Sequence, residues 1–118
     1  MDDKYGDRRF DTRAVWSGTQ NIEGSVNTPA FLASTYRLTD DRYREWAAQG
    51  GHHTLLYSRY SSVNSEAVSA KVASLEGAED GETFASGMAA ISSTLFSILS
   101  QGDHMVSSAD VYGGTYGL

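Results

Sequence analysis

Apolar residues at Met88, Ile91, Leu95, Ile98 and Leu99 recur at steps of three and four, a spacing that predicts a helix over 87–100. Just before it, Thr83, Phe84 and Ala85 make a short β-like run that ends in Ser86 and Gly87. A strand therefore feeds a helix through a Ser-Gly turn. The helix pattern stops at Gln101, Gly102 and Asp103, and 104–108 reads as a second strand. This strand–helix–strand order predicts an α/β fold with a parallel sheet and a right-handed crossover. Ligands of such sheets bind at the carboxyl ends of strands, where Ser86 and Tyr112 both fall. The first turn of the helix offers unpaired N–H groups and the positive end of the macrodipole, and a glycine there lets an anion come close. The pattern thus points to a phosphate cradle at Ser86, Gly87 and Met88.

Upstream, a helix is predicted over 65–76, with Asn64 as its N-cap and Gly77 as its stop. Ala67, Val68, Val72 and Leu75 define its apolar face, with Glu66, Lys71 and Glu76 mostly opposite. A shorter helix is predicted over 39–50, capped by Thr39 or Asp40, stopped at Gly50 and Gly51, and carrying Tyr43, Trp46 and Ala47 on one side. Residues 34–38 and 55–60 read as brief extended segments. Residues 1–35, with the single proline at position 29, read as an extended arm that needs a partner surface. The chain divides accordingly into the arm and short helix over 1–60 and the start of a larger domain over 61–118.

Composition narrows the partners. A net charge of −6 lacks the basic footprint of nucleic-acid binding. With no cysteine, neither disulfides nor thiolate metal sites are available. The N-terminus is polar, and the run from Met88 to Leu99 is interrupted by Ser92, Ser93, Thr94 and Ser97. It is shorter than the roughly 20 apolar residues a bilayer requires, so it is expected to be a buried helix in a cytoplasmic protein, with no membrane partner. The final residues, 111–118, look like the entry to a further helix, so the chain is expected to be part of a longer polypeptide. His52 and His53 are adjacent and followed by no third ligand at metal-site spacing, which favours a surface loop over a metal site. His104 reads as structural, and neither a dinucleotide nor a nucleoside-triphosphate loop is present.

Each remaining motif has an ordinary explanation when taken alone: Ser86-Gly87 as a plain turn, Tyr112-Gly113-Gly114-Thr115 as another, and Tyr57-Ser58-Arg59 as a strand with a solvated arginine. In order and together with Thr12 to Gly18 and 28–35 they resemble something more specific. The chain is similar over nearly its whole length to the pyridoxal-phosphate enzymes of cysteine and methionine metabolism. These include cystathionine γ-synthase, the cystathionine lyases, methionine γ-lyase and the O-acylhomoserine sulfhydrylases. The resemblance implies a PLP-dependent transferase-like fold of the aspartate aminotransferase type, fold type I, of which this chain supplies the arm and the start of the large parallel-sheet domain.

It also implies roles at matching positions. Gly87 and Met88 would give backbone N–H groups to the phosphate of pyridoxal 5'-phosphate, with Ser86 shaping the turn. Tyr112 would stack on the pyridine ring and assist proton transfer or leaving-group departure. Tyr57 and Arg59 would reach the phosphate of a neighbouring subunit's cofactor, a match of guanidinium fork to phosphate. Active sites would then be shared within dimers that build a homotetramer.

Two departures from the family pattern stand out. Ser62-Val63-Asn64 replaces an Asn-Pro-Thr, and Gly114 stands where typical methionine γ-lyases have cysteine, which favours the other lyase, synthase or sulfhydrylase branches. The family's cofactor lysine, pyridine-facing aspartate and carboxylate-binding arginine match no residue here. The only lysines, Lys4 and Lys71, lack the context of a cofactor lysine. The chain is thus expected to supply part of a lyase or transferase acting at the β or γ carbon of a small amino-acid substrate, completed by the remainder of the same enzyme. The alternative is a non-catalytic remnant that serves as a dimerisation or interaction module.

Overall fold

The computed structural model describes residues 5–48 and 54–118. Five helices follow one another: α1 (Phe10–Trp16), α2 (Asp40–Ala48), α3 (Val63–Glu76), α4 (Gly87–Ile98) and α5 (Gly113–Tyr116). They fall in two compact units, Met1–Glu82 and Thr83–Leu118.

In the first unit, α3 is the scaffold. Ser62 caps it: its Oγ accepts from the Ser65 amide at 3.1 Å, while Ser65 Oγ accepts from the Ser62 amide at 3.0 Å. Gly77 closes it in the left-handed conformation, φ 69°, as expected for a glycine stop. Asn64 is not the cap. It lies inside the first turn, and its amide clasps the arm, accepting from Phe31 N–H and donating to the Pro29 carbonyl, both at 2.8 Å. The helix also buries a different face from the one expected. Val63, Ser69 and Ala73 are buried, whereas Val68 and Val72 are each 52% exposed. Small residues win here because backbone comes close. The loop after α3 returns so tightly that a Cβ on Gly81 would lie 3.1 Å from the Ser69 carbonyl oxygen.

The arm is not wholly extended. Residues 10–16 form α1, held by contacts to residues far along the chain. Lys71 Nζ donates to the Ala14 and Val15 carbonyls at 3.0 and 2.9 Å, covering carbonyls that a helix end leaves without intrahelical partners. Arg13 donates to the Ser74 carbonyl, and Ser74 Oγ donates to Ser17 Oγ at 3.0 Å. Gly18 (φ +69°) lets the chain leave α1 against the α3 backbone, where a Cβ would collide with the Ala67 carbonyl oxygen. In α2, Tyr43 and Trp46 share a side with ring centroids 6.0 Å apart, as expected; its predicted Gly50-Gly51 stop lies outside the described residues, as do His52 and His53.

The strands expected at 83–85 and 104–108 do not form among the described residues, and the brief extended segments at 34–38 and 55–60 meet at a single point. That point is one antiparallel bridge, Thr35 to Tyr57, flanked by Tyr36 N–H to the Leu56 carbonyl at 3.0 Å and Ser58 N–H to the Ser34 carbonyl at 2.9 Å. The parallel strand–helix–strand unit is therefore absent as a ladder. An extended segment becomes a strand only when a neighbour accepts and donates along it, and 83–85 and 104–108 form no ladder within their unit. In that second unit α4 was expected to be buried, yet no residue of it is, and Phe96 and Ile98 stand exposed. Its packing comes from α5 alone among the helices of the unit. No helix among the described residues is long and apolar enough to cross a membrane.

Candidate functional site

The second unit holds Ser86, Gly87, Met88 and Tyr112. Ser86 is the N-cap of α4 in extended conformation (φ −155°, ψ 157°), and its Oγ accepts from the Ala89 amide at 3.1 Å. The Ser86 carbonyl takes the Ala90 amide at 3.1 Å. The Gly87 and Met88 amides are left with no acceptor among the described residues, the two donors the sequence singled out. Gly87 itself shows why it matters. Among the described residues a Cβ there would meet no atom within 4 Å, and its φ is not positive, so neither their packing nor the backbone conformation calls for glycine. The Cβ position of Gly87 is open space beside those two amides.

Tyr112 opens the one-turn α5 and is 73% exposed. Its ring is drawn in by Gly114, where a Cβ would lie 2.7 Å from Tyr112 Cε1 and 3.3 Å from Met88 Sδ. Thr115 Oγ1 reaches Met88 Sδ at 3.6 Å. Met88, Gly114 and Thr115 thus couple the first turn of α4 to the turn that carries Tyr112. Gly114 and Thr115 were not on the sequence-derived site, although the paired glycines after Tyr112 carried the signal. A side chain at 114 would push on the ring.

The first unit holds Tyr57 and Arg59. Backbone bonds from the Tyr60 and Ser61 amides to the Tyr57 carbonyl, at 2.9 and 3.2 Å, curl 57–61 into a turn with Arg59 near its tip. The Arg59 guanidinium carbon lies 5.1 Å from the Tyr57 ring centroid and 5.8 Å from that of Tyr60. Tyr60 is a residue the sequence reading passed over; its three-residue spacing from Tyr57 was the available clue. Arg59 is exposed and has no carboxylate partner among the described residues. Lys71 donates to the Ala14 and Val15 carbonyls of α1, and Lys4 lies outside the described residues. No cluster of metal-ligating residues occurs among those described.

A family model described as Cys/Met metabolism PLP-dependent enzyme matches residues 11–118. The chain belongs to this family. Relatives within the Cys/Met metabolism PLP-dependent enzymes include an L-methionine gamma-lyase of Pseudomonas deceptionensis, 31% identical over 100% of this chain and 30% of its own length. A cystathionine beta-lyase of Coxiella burnetii is 39% identical over 92% of this chain and 26% of its own. Another cystathionine beta-lyase, from Bacillus subtilis, is 42% identical over 83% of this chain and 23% of its own. The chain spans less than a third of the length of these relatives. Pyridoxal 5'-phosphate is the cofactor the family name specifies, and the residues present suit its phosphate: two free amides at a helix start, approached across a glycine with open space before it.

Proposed function

We propose that residues 1–118 form the N-terminal part of a cytoplasmic pyridoxal-phosphate-dependent enzyme of fold type I that performs elimination or replacement at the β or γ carbon of a sulfur amino acid or an activated homoserine. Residues 1–60 contribute the subunit-contacting arm and 61–118 the start of the cofactor-binding domain, in a homotetramer of dimers with shared active sites. The observation that carries this reading is Gly87: an open glycine at the start of α4, beside two unbonded amides, in a chain of this family.

In this reading the Gly87 and Met88 amides bind the cofactor phosphate, and Ser86 holds the turn by occupying the Ala89 amide. When bound, the cofactor withdraws electrons from the substrate and so labilises its β and γ substituents. Tyr112 would stack on the cofactor ring, and its hydroxyl would assist proton transfer or departure of the leaving group. Gly114 keeps the Tyr112 ring close to Met88. Arg59, with Tyr57, serves the phosphate of the neighbouring subunit's site, a charge-assisted contact that a guanidinium fork is shaped to make. Of the relatives' printed activities, the lyase class is the one this chain most often matches by name.

The complete polypeptide, purified with pyridoxal phosphate in excess, should carry one cofactor per chain by absorbance. Tyr112→Phe should retain that cofactor while slowing release of the thiol or acyl product at least tenfold. A complete polypeptide that retains no cofactor would leave only the reading as a dimerisation module.

A further inference from the structure

We propose that Tyr60 is a positioning residue for Arg59, holding the guanidinium between two aromatic rings so that all of its N–H donors remain available to an external phosphate. The inference rests on the reading of Arg59 as a phosphate ligand and adds a residue to it. Tyr57 and Tyr60 are brought side by side by the turn at 57–61, with ring centroids 6.4 Å apart and planes at 65°. The guanidinium carbon of Arg59 lies within 6 Å of both centroids, 5.1 Å from Tyr57 and 5.8 Å from Tyr60.

The choice of π faces over a carboxylate has a chemical consequence. A carboxylate would occupy the guanidinium fork and neutralise its charge, leaving little for a second anion. Aromatic faces attract the cation through the ring quadrupole and accept none of its five N–H groups. Arg59 is therefore held yet unspent: it has no ion pair among the described residues, and both rings are accessible, Tyr57 at 37% and Tyr60 at 62%. Removing one of two rings lets the long side chain sample other rotamers, and that freedom has to be given up again when phosphate binds. The Tyr60 hydroxyl plays no part in this, so a phenyl ring should serve as well.

The test uses the complete polypeptide, with dissociation constants measured for pyridoxal phosphate and, as the comparison, for pyridoxal without its phosphate. Tyr60→Leu should weaken pyridoxal phosphate binding by about two- to fivefold, the range expected for one exposed cation–π contact, and leave pyridoxal binding unchanged. Tyr60→Phe should restore the parent value, and Arg59→Ala should weaken phosphate-dependent binding more than Tyr60→Leu. Because Tyr60 is largely exposed, the leucine variant should keep its circular dichroism. Unchanged pyridoxal phosphate affinity in Tyr60→Leu, with a loss in Arg59→Ala, overturns the role of Tyr60 and leaves the proposed function standing. An equal loss for both ligands, or no rescue by phenylalanine, overturns it too by assigning Tyr60 a structural role. If Arg59→Ala itself has no effect, the role of Arg59 falls and that of Tyr60 falls with it.

Discussion

A methyl group added at Gly18 would strike the Ala67 carbonyl oxygen and come within 2.8 Å of the Lys71 amide, whereas one added at Gly87 would meet nothing within 4 Å. The two glycines are thus required by different things. At Gly18 the backbone is left-handed and the obstacle is helix backbone, which cannot swing aside. Gly18→Ala should cost about 2 kcal/mol or more, combining the left-handed penalty with the collision, and should lower the midpoint of chemical denaturation. Gly114 is a third case, since the atom its Cβ would meet first belongs to the Tyr112 ring. A ring can rotate away, so the effect of a side chain there falls on where Tyr112 sits more than on whether the chain folds.

Among the elements, α3 and α4 were legible from apolar spacing and from Gly77, and the Ser86 turn was placed to the residue. Three features were not. The α1 helix depends on Lys71 and Ser74, more than fifty positions away, and seven residues form no stable helix without such partners. The buried face of α3 was misread because hydrophobic periodicity ranks Val68 and Val72 above Ser69 and Ala73, while close backbone approach favours small side chains. Strand propensity at 83–85 and 104–108 was read as strand, but pairing is a property of two segments and no ladder forms there. Asn64 shows the same limit at smaller scale: its residue type suits a cap, and the neighbouring Ser62 takes that position and frees Asn64 to hold the arm. Asn64→Ala removes both 2.8 Å bonds to the arm, so the Phe31 amide should exchange with solvent roughly tenfold faster or more, at about 1 kcal/mol per bond. The α3 amides beyond the first turn should keep their protection.

For the molecule as a whole, Tyr57, Arg59, Ser86, Gly87, Met88 and Tyr112 stand out only as an ordered set of short motifs that resembles the family, since each motif alone is an ordinary turn or helix start written in adjacent residues. Sheet pairing and burial depend on surfaces that short motifs do not encode. The first unit is organised by polar contacts between arm and helix, and the second leaves Phe96, Ile98 and Val106 exposed. Whether the opening turn of α4 cradles the cofactor phosphate is decided by the preference of the complete polypeptide for pyridoxal phosphate over pyridoxal, compared between the parent and Gly87→Ala. Because the new methyl group meets no atom of the described residues, thermal stability should be unchanged or slightly raised. The preference should fall at least tenfold in the variant; an unaltered preference at unaltered stability would mean that the turn does not hold the phosphate.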